Sequence, residues 1–389
     1  MKTEYKILHI APDEKFIKSA NWQFEKVFPG QNSFIIFLGD RAKESNYVEP
    51  SENVEIVKLW QLNFSNFILK VKKYDLVVMH GLNFFQSKVI VNLGNSIKFL
   101  WLFWGGEIYD NPKAFKDLVI GKESQKKFLK VSFKDRIKNN FRPIYYSIFK
   151  NSILPENLIL KAAKKVDNIG ILHKEDFDFL KKSNVIHKNT NHIKMTYYPL
   201  EFIFKENKDI LVKGEHILLG NSASITNNHI ESFEYLSKLD ITDHKIIAPL
   251  NYGNKEYGKK IANLGKAQFK DNFEALLDFM PLEDYNKLVR KCGFVIMNHY
   301  RQQAVGNILA MLWMGAKVFL DEQNSFYNYL KRIGIHVFSI PKDLIPENKT
   351  VFNKLTPDEV STNRMILSNE IGIETLQKEL KEQINTILT

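Results

Sequence analysis

The feature that most restricts the fold is an alternation, kept up along most of the chain, of short apolar runs with amphipathic helical stretches. The runs "YKILHIA" (5–11), "SFIIFLG" (33–39), "NVEIVKLW" (53–60), "YDLVVMHG" (74–81) and "IKFLWLFWG" (97–105) are rich in β-branched and aromatic residues, and glycine or polar residues close most of them. Helical patterns such as "KFIKSANWQFEKVF" (15–28) lie between some of them, and "VDNIGILHKEDFDFL" (166–180) adds a further strand-to-helix step. The second half repeats the pattern. Strands are expected at 216–221, 244–250, 293–299 and 316–321, and helices at 228–239, 255–266, 281–292 and 306–315. The stretch 267–280 reads as a strand or a short helix, and 370–388 as a closing amphipathic helix. Alternation of this kind builds a parallel sheet covered by helices on both faces.

A chain of 389 residues is too long for one typical core and suits two. The expected fold class is α/β, with two Rossmann-like βα domains facing a central cleft. An N-terminal domain spans 1–200, a C-terminal domain 201–369 and the closing helix 370–389, with the junction near 197–209. In such sheets ligands bind beyond the carboxyl ends of the strands, so the informative residues are those just after each strand.

Composition removes several classes. With the single cysteine Cys292 there is no intramolecular disulfide and no zinc–cysteine cluster, which fits a reducing compartment. The N-terminus reads as a strand rather than a signal peptide, and no run reaches the roughly 18 apolar residues of a spanning helix. The net charge of +11 fits either a lysine-rich surface or an anionic partner. Part of that charge sits in 121–150, which departs from the alternation. There Phe133, Ile137, Phe141, Tyr145 and Ile148 recur at helical spacing around Pro143, and Lys126, Lys130 and Lys134 are among the cations around them. A basic helix with aromatic residues is a membrane-surface element if the aromatics are exposed, and a core-packed helix with a solvated face if they are not.

Three stretches carry candidate chemistry. In "HILLGNSASITNNHI" (216–230), Gly220, Asn221 and Ser222 end a strand just before a helix, with Thr226 following. Small residues, hydroxyls and a helix N-terminus suit a diphosphate, and the same residues suit an ordinary capped turn. In "NHYRQQAVGNILAMLWMG", Arg301 offers paired hydrogen bonds to a phosphate, while Gln302, Gln303 and Asn307 offer contacts to sugar or ribose hydroxyls. The competing reading is a capped loop with Arg301 in a surface ion pair. In "LWLFWGGEIYD", Glu107 follows a strand and suits a general base on an acceptor hydroxyl, with Asp13, and His9 before it, at the same rim. No P-loop, G-x-G-x-x-G, His-Glu-x-x-His or G-x-S-x-G pattern is present, and no Asp-x-Asp is embedded in a strand end.

Together, "FLWLFWGGEIYD", "ILLGNSASITNNHI", "IIAPLNYGNKEY" and "LEDYNKLVRKCGFVIMNHYRQQAVGNILAMLWMGAKVFLDEQNSFY" resemble the TDP-N-acetylfucosamine:lipid II N-acetylfucosaminyltransferases, glycosyltransferase family 56. The resemblance covers most of 75–330, and the tail after about 335 hardly takes part. It implies a GT-B fold, a nucleotide-sugar donor in the C-terminal domain and a polyprenyl-diphosphate-linked acceptor at the N-terminal one. It also implies a peripheral enzyme at the cytoplasmic face of the inner membrane. Carried over, Gly220, Asn221 and Ser222 bind the donor diphosphate with Arg301, Gln302 and Gln303 nearby, and Glu107 stands at the family's acidic position. Ala304 departs from the family's glycine, and Trp-Gly-Gly from its Trp-Gly-Ala. No cofactor, metal or nucleic acid is expected. A nucleotide-sugar epimerase of similar fold and a non-catalytic basic protein that binds membrane or nucleic acid are the alternatives.

Overall fold

The computed structural model describes residues 4–39, 42–115, 118–129, 133–204 and 209–389, and of residues 95, 133–139 and 282 the backbone alone. The first apolar runs become the strands β1 (Ile7–Pro12), β2 (Asn32–Leu38), β3 (Val54–Lys58), β4 (Leu76–His80), β5 (Lys98–Leu102), β6 (Asn168–Ile171) and β7 (Asn191–Lys194). They form one sheet in the order β3-β2-β1-β4-β5-β6-β7, and every pairing is parallel. Strands β1 and β4 are buried almost throughout, which accounts for their nearly continuous apolar sequence. The polar exceptions are His9 and His80, both fully buried.

The second half gives β8 (His216–Leu219), β9 (Ile246–Pro249), β10 (Phe273–Leu276), β11 (Cys292–Met297), β12 (Lys317–Leu320) and β13 (Phe338–Ser339). Their order is β10-β9-β8-β11-β12-β13, again parallel. In both sheets the strand order reverses beside the first strand, at β1/β4 and at β8/β11. Such a reversal leaves a crevice at the strands' carboxyl ends. The ambiguous stretch 267–280 resolves into the end of the helix Lys255–Phe269, a 3-10 turn and β10.

The chain folds into two compact units. One comprises Met1–Phe115, Phe133–Phe202 and Ile371–Thr389; the other comprises Lys116–Ser132 and Ile203–Glu370. The chain thus passes between them four times instead of once near residue 200. The closing helix Ile373–Leu388 belongs to the first unit because its apolar stripe has a home there. Leu380, Ile384 and Ile387 share a core with Ala20, Phe24 and Val78. Each such side chain contributes on the order of 1.5–3 kcal/mol of burial. The segment 121–150 is two helices, Lys122–Phe128 and Phe133–Lys150, one in each unit. Lys122–Phe128 is held in the second unit by side chains that its own sequence does not announce. Asn228 Oδ1 accepts from Gly121 N at 2.8 Å, and Glu231 accepts from both the N–H (2.9 Å) and the hydroxyl of Ser124.

Candidate functional site

The loops after β8 and β11 meet at the reversal in the second unit. Thr226 Oγ1 donates to Gln303 Oε1 at 2.8 Å, and Gln303 Nε2 to Asn221 Oδ1 at 3.3 Å. Asn228 Nδ2 donates to the Asn298 carbonyl at 2.8 Å. The structure therefore brings together Gly220, Asn221, Ser222 and Thr226 with the Arg301–Gln303 loop. Arg301 is 8 % exposed, which does not fit a surface ion pair; its Nη1 donates to the Gln302 carbonyl at 3.1 Å. Asn307 lies apart from this network, exposed on the helix Val305–Trp313.

Asn227, which sequence reasoning passed over, organises the loop. Its Oδ1 accepts from Asn221 N at 2.9 Å and lies 3.0 Å from His299 Nε2, while its Nδ2 donates to Ser222 Oγ and to the Ser224 carbonyl. Gly220 has φ +67°, and a Cβ there would stand 2.6 Å from Asn227 Oδ1 and 2.9 Å from His229 Nε2. The glycine is thus required by the packing of its own loop. The Asn221 N–H is taken by Asn227 and that of Ala223 by the Tyr252 carbonyl, whereas those of Ser222 and Ser224 make no hydrogen bond among the described residues. A pocket of about 440 Å³ opens beside the loop, lined by Phe128, Ser224, Asn254, Glu256, Tyr257 and Lys260 among others.

Buried polar atoms without a partner gather here. They include His229 Nε2, both side-chain atoms of Asn298, His299 Nδ1 and Gln302 Oε1. Unpaired buried groups each cost about 1–3 kcal/mol, so their concentration marks a site rather than a core. Burial holds the His229 imidazole down at about 3. Burial, Arg301 and His229 together push that of His299 well below its ordinary value. Both rings are neutral at physiological pH. Because Asn227 Oδ1 already accepts a backbone N–H, His299 carries its proton on Nε2. The only sequence signals for these residues were polar side chains at the ends of apolar strands.

Two helix N-termini adjoin the site, and they differ. The helix His229–Leu236 follows a 3-10 turn, Ile225–Asn227, and carries Glu231 in its first turn. The helix Val305–Trp313 has no acidic residue in its first turn and no side-chain cap. Its N-cap, Ala304, is left-handed at φ +57°. The N–H groups and dipole suited to an anion are therefore those that follow Arg301-Gln302-Gln303. They are not those of the helix that follows Gly-Asn-Ser.

In the first unit, Asp13 after β1 is a loop anchor. Its carboxylate accepts from the N–H groups of Asn46 (2.5 Å), Tyr47 (3.1 Å) and Val48 (2.9 Å). Its neighbour Glu14, also missed in the sequence, is half-buried, and burial with the Asp13 charge raises its carboxyl above the ordinary value. Glu107 opens the short helix Gly106–Tyr109, and its Oε1 accepts from Trp104 N at 3.0 Å and Trp101 Nε1 at 3.1 Å. Gly105 makes the turn at φ +96°.

On the helix Phe133–Lys150, Phe141, Ile144, Tyr145, Ile148 and Phe149 are exposed, the last at 72 %. The other face docks: Arg142 pairs with both oxygens of Glu156 at 3.2 and 3.1 Å, and Tyr146 meets Phe84. Lys126, in the other unit, is exposed and paired with Glu123. Lys130 lies outside the described residues, as do the side chains of Phe133 and Lys134. Among the described residues no helix is long and apolar enough to cross a membrane, and no group of three or more His, Cys, Asp and Glu is disposed to hold a metal ion.

Two parallel α/β sheets, each reversing beside its first strand, match known architectures over their whole length. HepE of Anabaena, solved with UDP and glucose, superposes with a TM-score of 0.60 at 11% identity, covering 98% of this chain and 100% of that one. Sucrose-phosphate synthase of Thermosynechococcus elongatus gives 0.64 at 8%, covering 98% and 99%. A glycosyltransferase of Rickettsia africae gives 0.58 at 14%, covering 100% of each. The fold is that of the GT-B glycosyltransferases. Residues 162–355, which contain both loops of the site, match the family described as 4-alpha-L-fucosyltransferase, glycosyl transferase group 56. Over those residues the chain matches that family, and it is a glycosyltransferase.

Proposed function

We propose that the chain moves an N-acetylated deoxyamino sugar, of the TDP-N-acetylfucosamine type, from a nucleoside-diphosphate donor to a polyprenyl-diphosphate-linked saccharide. The reading rests on one observation, the convergence of the 220–226 and 301–305 loops at the strand reversal of the second unit. The UDP bound in the Anabaena neighbour supports a nucleotide sugar as the donor class.

The donor diphosphate lies against the open N-terminus of Val305–Trp313, with the Arg301 guanidinium and the N–H groups of Ser222 and Ser224 turned to its oxygens. In a single inverting displacement the acceptor hydroxyl oxygen attacks the anomeric carbon. The bond from that carbon to the diphosphate oxygen breaks, and the nucleoside diphosphate leaves with both electrons. These donors meet the charge that develops on it, without a metal ion. Glu107, held by two N–H groups, takes the acceptor proton. Glu14 is the second candidate base, since burial and the Asp13 charge raise its carboxyl above the ordinary value, while the Asp13 carboxylate is taken up by three backbone N–H groups. The exposed aromatic face of Phe133–Lys150 rests on the anionic cytoplasmic face of the inner membrane, where such an acceptor resides.

The test is release of nucleoside diphosphate from TDP-, UDP- and GDP-sugars in the presence of a polyprenyl-diphosphate-linked saccharide. Acceptor-dependent release is expected, with one nucleotide preferred. Product from the donor alone points instead to an epimerase, and no turnover with any donor sinks the proposal. Arg301→Ala weakens nucleotide binding by roughly 10- to 100-fold, the loss of a charged hydrogen-bonding partner. Glu107→Gln and Glu14→Gln, compared for kcat, decide which carboxylate is the base.

A further inference from the structure

The first unit buries a file of polar side chains across its central strands. Trp104 Nε1 donates to the Tyr197 hydroxyl at 3.0 Å. That hydroxyl lies 2.8 Å from His80 Nδ1, His80 Nε2 lies 3.0 Å from His9 Nδ1, and His9 Nε2 lies 3.4 Å from Asn32 Oδ1. Asn32 Nδ2 donates onward to Glu25 Oε1 at 2.9 Å and the Phe28 carbonyl at 2.7 Å. Burial keeps both imidazoles neutral: His80 is held at about 3, and His9 is pushed well below its ordinary value by burial and by His80.

The direction of every link follows from these contacts. Asn32 uses its nitrogen elsewhere, so its oxygen faces His9, and His9 donates from Nε2. A neutral imidazole carries one proton, so His9 Nδ1 accepts from His80 Nε2, and His80 Nδ1 accepts from the Tyr197 hydroxyl. The Tyr197 oxygen in turn accepts from Trp104. Each of Tyr197, His80 and His9 donates once and accepts once. The file does not conduct protons, because an indole N–H at one end and a carboxamide at the other take no part in proton transfer. Its capacity is to fix orientation, since chains of aligned bonds in a low-dielectric interior reinforce one another.

What it orients is Trp104. The indole stands edge-on to Phe16, with ring centres 4.8 Å apart, and lies over Gly81, where a Cβ would come within 2.9 Å of the ring. Trp104 in turn presents its backbone N–H to Glu107 Oε1, the same oxygen that Trp101 Nε1 reaches. We propose that Tyr197, His80 and His9 are positioning residues that fix, through Trp104, the orientation of the Glu107 carboxylate. This rests on the reading of Glu107 as the base.

The test labels the five tryptophans of the full chain with indole ¹⁵N and assigns Trp101 and Trp104 by single replacements. Tyr197→Phe keeps the ring and deletes both hydrogen bonds. It is expected to move the Trp104 indole resonance and, through Glu107, that of Trp101. It is also expected to lower kcat for sugar transfer at least about tenfold, the scale of small misplacements at a reacting centre, while the KM for the TDP-sugar stays put. His80→Asn, whose side-chain oxygen can still accept from Tyr197, should restore part of the kcat that His80→Leu loses. An unmoved Trp101 resonance in Tyr197→Phe overturns the inference and leaves the role of Glu107 standing. So does an unchanged kcat in Tyr197→Phe when Glu107→Gln is inactive. Full activity in Glu107→Gln overturns the base reading and this proposal together.

Discussion

Ala304 holds a backbone conformation that a side chain with a Cβ rarely adopts, φ +57° and ψ +26°, at the start of the helix that faces the proposed diphosphate. For L-residues this region costs roughly 1–2 kcal/mol. Ala304→Gly should therefore raise stability by about 0.5–1 kcal/mol, because part of the relief is offset by the freer unfolded chain. A rise in thermal midpoint checks this, and a fall would mean that the left-handed turn is not formed. The sequence marked this residue as a departure from the family's glycine, but the strain itself is not legible without φ. Gly220 carries a similar lesson. Its position at the end of a strand was readable, and the need for a small residue there was right. The structure adds a reason within the loop itself: Asn227 and His229 fill the space that a Cβ would take. Contacts between a loop and its own later residues leave no periodic trace in a sequence.

At the level of elements, helical spacing identified the apolar stripe of Phe133–Lys150 but not that one face docks through Arg142 and Tyr146 while the other stays open. A vesicle flotation assay checks its proposed role. The wild-type chain should float with vesicles rich in anionic lipid and less with neutral ones, and Phe141→Ser/Phe149→Ser should lose most of that binding with an unchanged thermal midpoint. Equal flotation by the variant would remove this face from membrane contact. The elements that the sequence did not announce include β7 and β13, of four and two residues, and the helices Pro155–Ala163, Ser325–Arg332 and Pro357–Ile371. Both strands lie at a sheet edge; β7 is polar with one buried residue and β13 has only two residues, so neither shows the apolar run that marks the four-residue strands β8, β9 and β12.

For the whole molecule, four buried imidazoles set the response to acid. His9, His80, His229 and His299 are each held below their ordinary value, His80 and His229 at about 3. Below about pH 6.5 the unfolded chain takes up protons that the folded chain refuses, so stability falls as pH falls. The slope approaches about 1.4 kcal/mol per pH unit for each histidine between 6.5 and the folded value. Above 6.5 they contribute no pH dependence. The raised carboxyls of Glu14 and Asp321 act in the opposite sense, each favouring the folded state as pH drops toward its ordinary range. Thermal midpoints from pH 7.5 to 5 should fall steadily, and replacing His80 with leucine should flatten part of that fall. A flat profile in the wild type would mean that these rings are not neutral in the fold.

The fourfold passage of the chain between units also has a consequence for how the protein is made. Ile371–Thr389 leaves the ribosome after all of Lys116–Glu370, yet it completes the unit that began with the first strand. The N-terminal sheet therefore waits, with the cleft for Leu380, Ile384 and Ile387 uncovered, until the other unit has been synthesised in full. A nascent chain stalled at residue 370 would expose that apolar groove to chaperones while its later half is already able to fold.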